Sequence, residues 1–306
     1  MLEHNTESVS VYIRPMKLRL FGLVFLPLLL CSRTSAQNVI GTVTVFGHSL
    51  HKIVLAADSF NGAPNARGED QSLCKFAVLD KTVVFTGSGL AAHIVGPHIY
   101  WHVYLAAALA YEKAKPTVGS TRLRNATVLF ADILEKSVQQ ALVDDPAGTK
   151  KLIEFDENRI FNGLFAGFEN NRAEMYQAEV FYDPSSKQIR QKLDVFKQYD
   201  DMTFGAGGRN DTAVEVLEGQ TDFAKRELGK WAMFSQGIPP RDKDVYWAMR
   251  LIELTMAYDR NRMWVGGPID SLVLTATGIR WIQCKPQCDN IPLKLSDENR
   301  KAMEKL

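Results

Sequence analysis

Residues 39 to 60 constrain the fold more than any other stretch. They read Val39-Ile40-Gly41-Thr42-Val43-Thr44-Val45-Phe46, then Gly47-His48-Ser49, then a run ending Ile53-Val54-Leu55-Ala56-Ala57-Asp58-Ser59-Phe60. Two runs rich in β-branched and apolar residues flank a short polar segment, the pattern of a buried hairpin. Gly47-His48-Ser49 offers a turn residue that tolerates positive φ. Thr42 stands at the front of the first run and Asp58 at the end of the second. In a hairpin in register the start of one strand lies beside the end of the other, so the Thr42 hydroxyl is expected near the Asp58 carboxylate. Taken alone, the same pattern equally describes an ordinary strand threonine and an acid at a strand end.

The stretch before this hairpin reads as a leader. Met16-Lys17-Leu18-Arg19 is basic, Phe21 to Leu30 is apolar but too short to span a bilayer comfortably, and Thr34-Ser35-Ala36 supplies small residues for cleavage. The expected organisation is a signal peptide over 1–36 with a true start at Met1 or Met16, a short propeptide over 37–41, one domain over 42–290 and a charged tail over 291–306. The protein is therefore expected to be exported, to the periplasm or beyond the cell, without stable membrane contact after cleavage. Removing residues 1–36 takes four basic and two acidic side chains from totals of 36 and 35, which leaves a charge near −1. Such a balance argues against nucleic acid as a partner. A charged fraction of 23% with long apolar runs suits a globular fold.

Along the chain the pattern alternates in blocks. Short strands are expected over Phe76–Leu79 and Thr82–Phe85, then a helix from Leu90 to Lys115 kinked at Pro97, then a second helix from Ser120 to Val143. Strands are expected over Ile160–Phe168, Arg172–Tyr182 and Ile189–Lys197, joined by turns at Glu169-Asn170-Asn171 and Asp183-Pro184-Ser185-Ser186. A short strand over Met202–Phe204 enters Gly205-Ala206-Gly207-Gly208. Helices follow from Asn210, from Thr221 and over Lys243–Arg260, then a strand pair over Ser271–Thr277 and Arg280–Cys284. Antiparallel strands with helices in blocks give an α+β class, and helices covering two sheets on their outer faces would satisfy every apolar surface.

Several segments, in this order, resemble proteasome β-type subunits of the N-terminal-nucleophile hydrolases. They are Gly41-Thr42, Val54-Leu55-Ala56-Ala57-Asp58, Lys75-Phe76-Ala77-Val78-Leu79-Asp80, Val83-Val84-Phe85-Thr86-Gly87, Phe165-Ala166-Gly167-Phe168, Gly205-Ala206-Gly207-Gly208 and Val265-Gly266-Gly267-Pro268-Ile269-Asp270. The resemblance covers most of residues 41–284. It implies a four-layer αββα sandwich and a threonine-type peptidase or amidase that processes itself at Gly41-Thr42. It implies catalytic roles for Thr42 as nucleophile, Lys75 as the charge that lowers the pKa of its neighbours, Asp58 as the partner of Lys75, and Gly87 as an oxyanion donor. Asp259 matches a further family acid only if residues are inserted after it. A peptide or other amide is the implied substrate, no cofactor or metal is implied, and homo-oligomers, rings included, are the family expectation. Two positions depart from the pattern. Ala206 stands where the family has a serine, and Val265 replaces another serine. These departures support the alternative of an inactive assembly or binding protein on the same fold.

Other signals are read as structural. His93, His98 and His102 fall on the first expected helix and are taken as packing residues, since Pro97 disturbs any metal-binding spacing. The glycine run 205–208 has no Lys-Ser/Thr after it, unlike a phosphate loop. Asn125-Ala-Thr127 and Asn210-Asp-Thr212 match the glycosylation sequon. In an exported chain two of Cys74, Cys284 and Cys288 are expected to pair, and the small loop Cys284–Cys288 is the pairing the spacing favours.

Overall fold

A computed structural model describes residues 37–39, 43–59, 74–95, 98–197, 199–208, 210–258, 265–285, 288 and 291–304. In chain order the strands and helices are β1 Gln37–Val39, β2 Val43–His48, β3 Ile53–Ala57, β4 Ala77–Asp80, β5 Val83–Gly89, β6 Ala92–Val95, β7 His98–His102, α1 Val103–Lys113, α2 Arg122–Asp144, α3 Pro146–Phe155, β8 Arg159–Glu169, β9 Arg172–Asp183, β10 Gln188–Val195, β11 Thr203–Gly208, α4 Asp211–Glu218, α5 Asp222–Phe234, α6 Lys243–Tyr258, β12 Asp270–Thr275, β13 Gly278–Gln283 and α7 Asp297–Glu304. The fold is α+β, and its strand pairings are antiparallel.

Two five-stranded sheets carry the core. The first has the order β10-β9-β8-β5-β4 and the second β11-β2-β3-β12-β13. Alternation along each strand divides the apolar residues between two faces. On the first sheet Phe85, Phe161, Phe165 and Val180 pack with Leu109 of α1 and Leu123, Phe130 and Leu134 of α2. On the second, Val43, Val45, Val54 and Val273 pack with Val216 of α4 and Val245, Leu251 and Ile252 of α6. A third cluster draws on both sheets, with Phe46, Ile53, Leu55 and Leu272 against Val78, Val84, Leu164 and Met175. Each sheet thus has one face toward helices and one toward the other sheet. Helix α1 is rich in alanine and buried on nearly every side, as expected of a helix that is apolar all round.

Turn chemistry explains several joints. Asn170 and Asn171 both adopt positive φ, 52° and 63°, which is what a tight two-residue hairpin between β8 and β9 demands. Asp183 accepts hydrogen bonds from the Ser185 amide at 2.9 Å and the Ser185 hydroxyl at 2.6 Å, fixing the next turn.

Four expectations need correction. The helix expected from Leu90 to Lys115 begins only at Val103, because Ala92–Val95 and His98–His102 pair as the antiparallel strands β6 and β7. This pair and β1 make a small three-stranded sheet of order β1-β6-β7. The β2–β3 turn is not at Gly47. Ser49 N–H donates to the Lys52 carbonyl at 2.9 Å, and Gly47 lies inside β2, where a Cβ would come within 2.6 Å of the Phe204 ring. The Asp144–Gly148 segment opens a further helix, α3, with Pro146 in its first turn and the Asp145 carboxylate capping the Gly148 amide at 3.1 Å. The disulfide joins Cys74 to Cys288 across 214 residues, and Cys284 is a free, exposed thiol. The tail carries α7, which docks on α1 by burying Met303 and pairing Lys113 with Glu304 at 2.9 Å.

Candidate active site

Strands β2 and β3 pair with Thr44 opposite Ala57, which sets Val43 opposite Asp58. Asp58 N–H donates to the Val43 carbonyl at 3.2 Å. The Asp58 carboxylate closes the arrangement: Oδ1 accepts from the Val43 amide at 2.8 Å and Oδ2 from the Gly266 amide at 2.9 Å. Asp58 has no exposed surface. A buried acid needs such donors on both oxygens to offset its desolvation. Asp58 thus follows the end of β3 and lies beside Val43, the first residue of β2. Gly41, Thr42 and Asp259 lie outside the described residues.

Of the other two expected site residues, Gly87 lies on β5 of the first sheet and Lys75 lies two residues before β4. β4 and β5 pair with Ala77 opposite Phe85. Carrying that register back two residues sets Lys75 beside Gly87. The Thr86 hydroxyl donates to the Lys75 carbonyl at 2.8 Å, and the Tyr104 hydroxyl to the same oxygen at 3.4 Å. Lys75 is only 3% exposed, so it is not a solvated strand-end lysine. Gly87 pairs with Gly163 of β8. A Cβ there would stand 2.2 Å from the Asn162 carbonyl oxygen, so close strand approach alone requires glycine at this position.

Strand β11 shapes the edge of the second sheet next to β2. Its register sets Gly205 opposite Phe46, Ala206 opposite Val45 and Gly207 opposite Thr44. Because Phe46 faces the first sheet and Val45 faces the helices, Ala206 points to the helices while Gly205 and Gly207 face the other sheet. The alanine that departs from the family pattern is thus turned away from the inter-sheet face. A Cβ at Gly207 would meet nothing within 4 Å. The Thr44 hydroxyl beside it is buried and has no hydrogen-bond partner among the described residues. Open space next to an unsatisfied hydroxyl makes this end of β2 a place where water or a ligand group would be accommodated.

Sequence reasoning missed a second polar cluster next to Asp58. The Lys285 ammonium lies 2.8 Å from Asp270 Oδ2 and donates to Ser59 Oγ at 2.7 Å. Lys285 N–H donates to Asp270 Oδ1 at 3.1 Å. The Ser59 hydroxyl donates to the Pro268 carbonyl, and its amide to Gly266 at 3.1 Å. Tyr104 is buried, and burial first, then the Asp270 charge, pushes its hydroxyl pKa up. The sulfurs of Cys74 and Cys288 lie within 4.8 Å of an Asp270 oxygen, but they are joined to each other and Asp270 is taken by Lys285. No local pattern marks this cluster, since its members come from four separate segments.

The histidines are structural. His93 is buried, stacks on Tyr100 and sits 3.3 Å from Asp145 Oδ2. Burial lowers its pKa, with Asp145 opposing. His102 caps α1 through Nδ1, and burial lowers its pKa also. Among the described residues no helix is long and apolar enough to cross a membrane. No protein-family model matches the chain, and no curated protein matches it significantly.

Proposed function

We propose that the chain is an exported threonine-type amide or peptide hydrolase with the four-layer αββα sandwich of the N-terminal-nucleophile hydrolases, unmasked by cleavage of the Gly41–Thr42 bond. The observation that carries this reading is the buried Asp58 carboxylate holding the Val43 amide at 2.8 Å. It fixes the backbone one residue beyond Thr42 and leaves Lys75 and Gly87 as register neighbours on the facing sheet. Layering of helices, sheet, sheet and helices, given by three separate apolar clusters, supports the fold assignment.

In this mechanism cleavage frees the Thr42 α-amine, whose ordinary pKa of about 8 suits a base near neutral pH. The amine takes the Oγ proton as Oγ attacks the substrate carbonyl carbon. The Gly87 N–H stabilises the developing oxyanion. The amine then gives its proton to the leaving amine, and water hydrolyses the resulting ester. Lys75, paired with Asp58, keeps the base poised by its positive charge. The substrate is a peptide or other amide, and assembly is homo-oligomeric.

The second reading is a non-catalytic assembly or binding protein on the same fold. It draws on Ala206, whose methyl faces the helices, so opposite Phe46 and Thr44 strand β11 presents glycines and no hydroxyl toward the inter-sheet face. Intact mass and amino-terminal sequencing of the exported protein separate the two. An amino terminus at Thr42, with amide hydrolysis lost in Thr42→Ala, is the expected result. An amino terminus at Gln37 with no hydrolysis would sink the hydrolase reading and leave the binding protein.

A further inference from the structure

The segment from Lys285 to Cys288 touches both halves of the candidate site. At one end Lys285, 8% exposed, forms its ion pair with Asp270 and its hydrogen bond to Ser59. Ser59 directly follows Asp58, and its amide donates to the Gly266 carbonyl while the Gly266 amide donates to Asp58. At the other end Cys288 is bonded to Cys74, the residue directly before Lys75. The two residues are tied to each other, because the Cys288 amide donates to the Lys285 carbonyl at 2.9 Å. Further on, Leu293 N–H donates to the Val78 carbonyl of β4 at 2.7 Å. Lys285 thus contacts residues next to the second sheet, while Cys288 and Leu293 contact residues of the first sheet or next to it.

We propose that this segment is a positioning clamp: its ion pair sets Asp58 and its disulfide sets Lys75, so that the two expected catalytic side chains, one on each sheet, keep a fixed separation. The proposal rests on the hydrolase reading. Two physical arguments support it. A buried ion pair contributes little net stability over apolar residues of the same volume, so its value lies in geometry. Ser59 and Cys74 are 15 positions apart in the sequence, and Lys285 and Cys288, which are bonded to them, are joined to each other by one backbone hydrogen bond. Lys285, Asp270, Cys74 and Cys288 act through Asp58 and Lys75 and are positioning residues.

The test uses full-length protein carrying Cys284→Ser, which removes the exposed thiol that would otherwise exchange with the disulfide. Dithiothreitol supplies two electrons and two protons, yielding two cysteine thiols and the cyclic disulfide of the reagent. Lysine acylation by acetic anhydride followed by peptide mapping reports the position of Lys75. Acylation of Lys75 is expected to rise at least fivefold on reduction, with the far-ultraviolet circular dichroism unchanged. The same rise is expected in Cys74→Ala/Cys288→Ala, and reoxidation should reverse it only where the cysteines are present. In parallel, kcat is expected to fall about tenfold with KM nearly constant. The acid limb of the kcat/KM profile should move to higher pH, because a displaced Lys75 no longer lowers the pKa of the base. A merely structural disulfide would change the active fraction and leave that limb in place.

Lys75 remaining protected after reduction overturns the clamp, whatever the activity. So does an unmoved acid limb in a protein that hydrolyses amides. An oxidised protein that neither cleaves itself nor hydrolyses any amide defeats the hydrolase reading instead, and the acylation result still decides whether the clamp holds Lys75.

Discussion

The two sheets bury different things. The first is apolar on its helix side, where the Phe130 ring from α2 lies 5.1 Å from Phe85, 6.3 Å from Phe161 and 5.6 Å from Phe165, centre to centre. The second ends in a buried polar group: Thr44, Asp58, Ser59 and Asp270, each at most 3% exposed. Aromatic packing of the first kind is a direct source of stability. Buried acids and hydroxyls are not, because each must recover its desolvation cost from hydrogen bonds. The first sheet therefore holds the fold together, and the second spends stability on geometry at one end. Truncating Phe130→Ala should break the first sheet's contribution, with a loss of about 3–5 kcal/mol from the deleted ring and the cavity it leaves. Urea denaturation measures this. Hydrolysis per folded molecule should be retained, and a loss below about 1 kcal/mol would remove the distinction between the sheets.

The polar end predicts the reverse balance. In Asp58→Asn the amide group offers one acceptor where two backbone N–H groups, of Val43 and Gly266, now find oxygens. One of them then faces an NH2 donor. The expected cost is about 1–3 kcal/mol, smaller than for Phe130→Ala. Under the proposed mechanism the expected loss of amide hydrolysis is at least about 100-fold, since the charge proposed to pair with Lys75 is gone. Turnover measured on the folded fraction checks this. Hydrolysis that survives within a few-fold would mean that Asp58 serves only the β2–β3 junction.

What the sequence revealed follows the same division. Period-two apolar runs and the Asn170-Asn171 turn were enough to place β8, β9 and β10, because local pairing decides them. Asp58 was legible for the same reason: a hairpin's register relates its two ends. Residues 90–102 were not, since Ala91, Ala92, Ile94 and Val95 suit either a helix or a strand. There burial of Trp101, whose indole donates to the Leu90 carbonyl at 3.0 Å, goes with the strand pairing of β6 and β7. The Asp145-Pro146 start of α3 carries a capping signal, an acid directly before a proline, at the point where α2 also ends. The Cys74–Cys288 bond and the Ser59–Asp270–Lys285 cluster left no local trace, because residues over 200 positions apart meet only once both sheets have formed. Cys74, Cys284 and Cys288 permit more than one pairing, and spacing favours Cys284–Cys288 where the fold joins Cys74 to Cys288.

The smallest expected change in stability is also the sharpest test of where substrate sits. Gly87 and Gly207 lie on opposite sheets, and their surroundings differ completely. A Cβ at Gly87 would collide with the Asn162 carbonyl oxygen at 2.2 Å, while one at Gly207 meets nothing within 4 Å. Gly207 also lies outside the set of glycines with positive φ, so an L-residue fits its backbone. Gly207→Val should leave the urea midpoint within about 0.5 kcal/mol of the parent, since a β-branched residue suits a strand. Its side chain would enter the space beside the Thr44 hydroxyl. If substrates bind there, hydrolysis of amides with bulky groups near the scissile bond should fall at least about tenfold, and small amides should be spared. Equal rates on both would place the binding surface elsewhere along the facing sheets, and the open space beside Thr44 would then be a packing gap at the edge of β11.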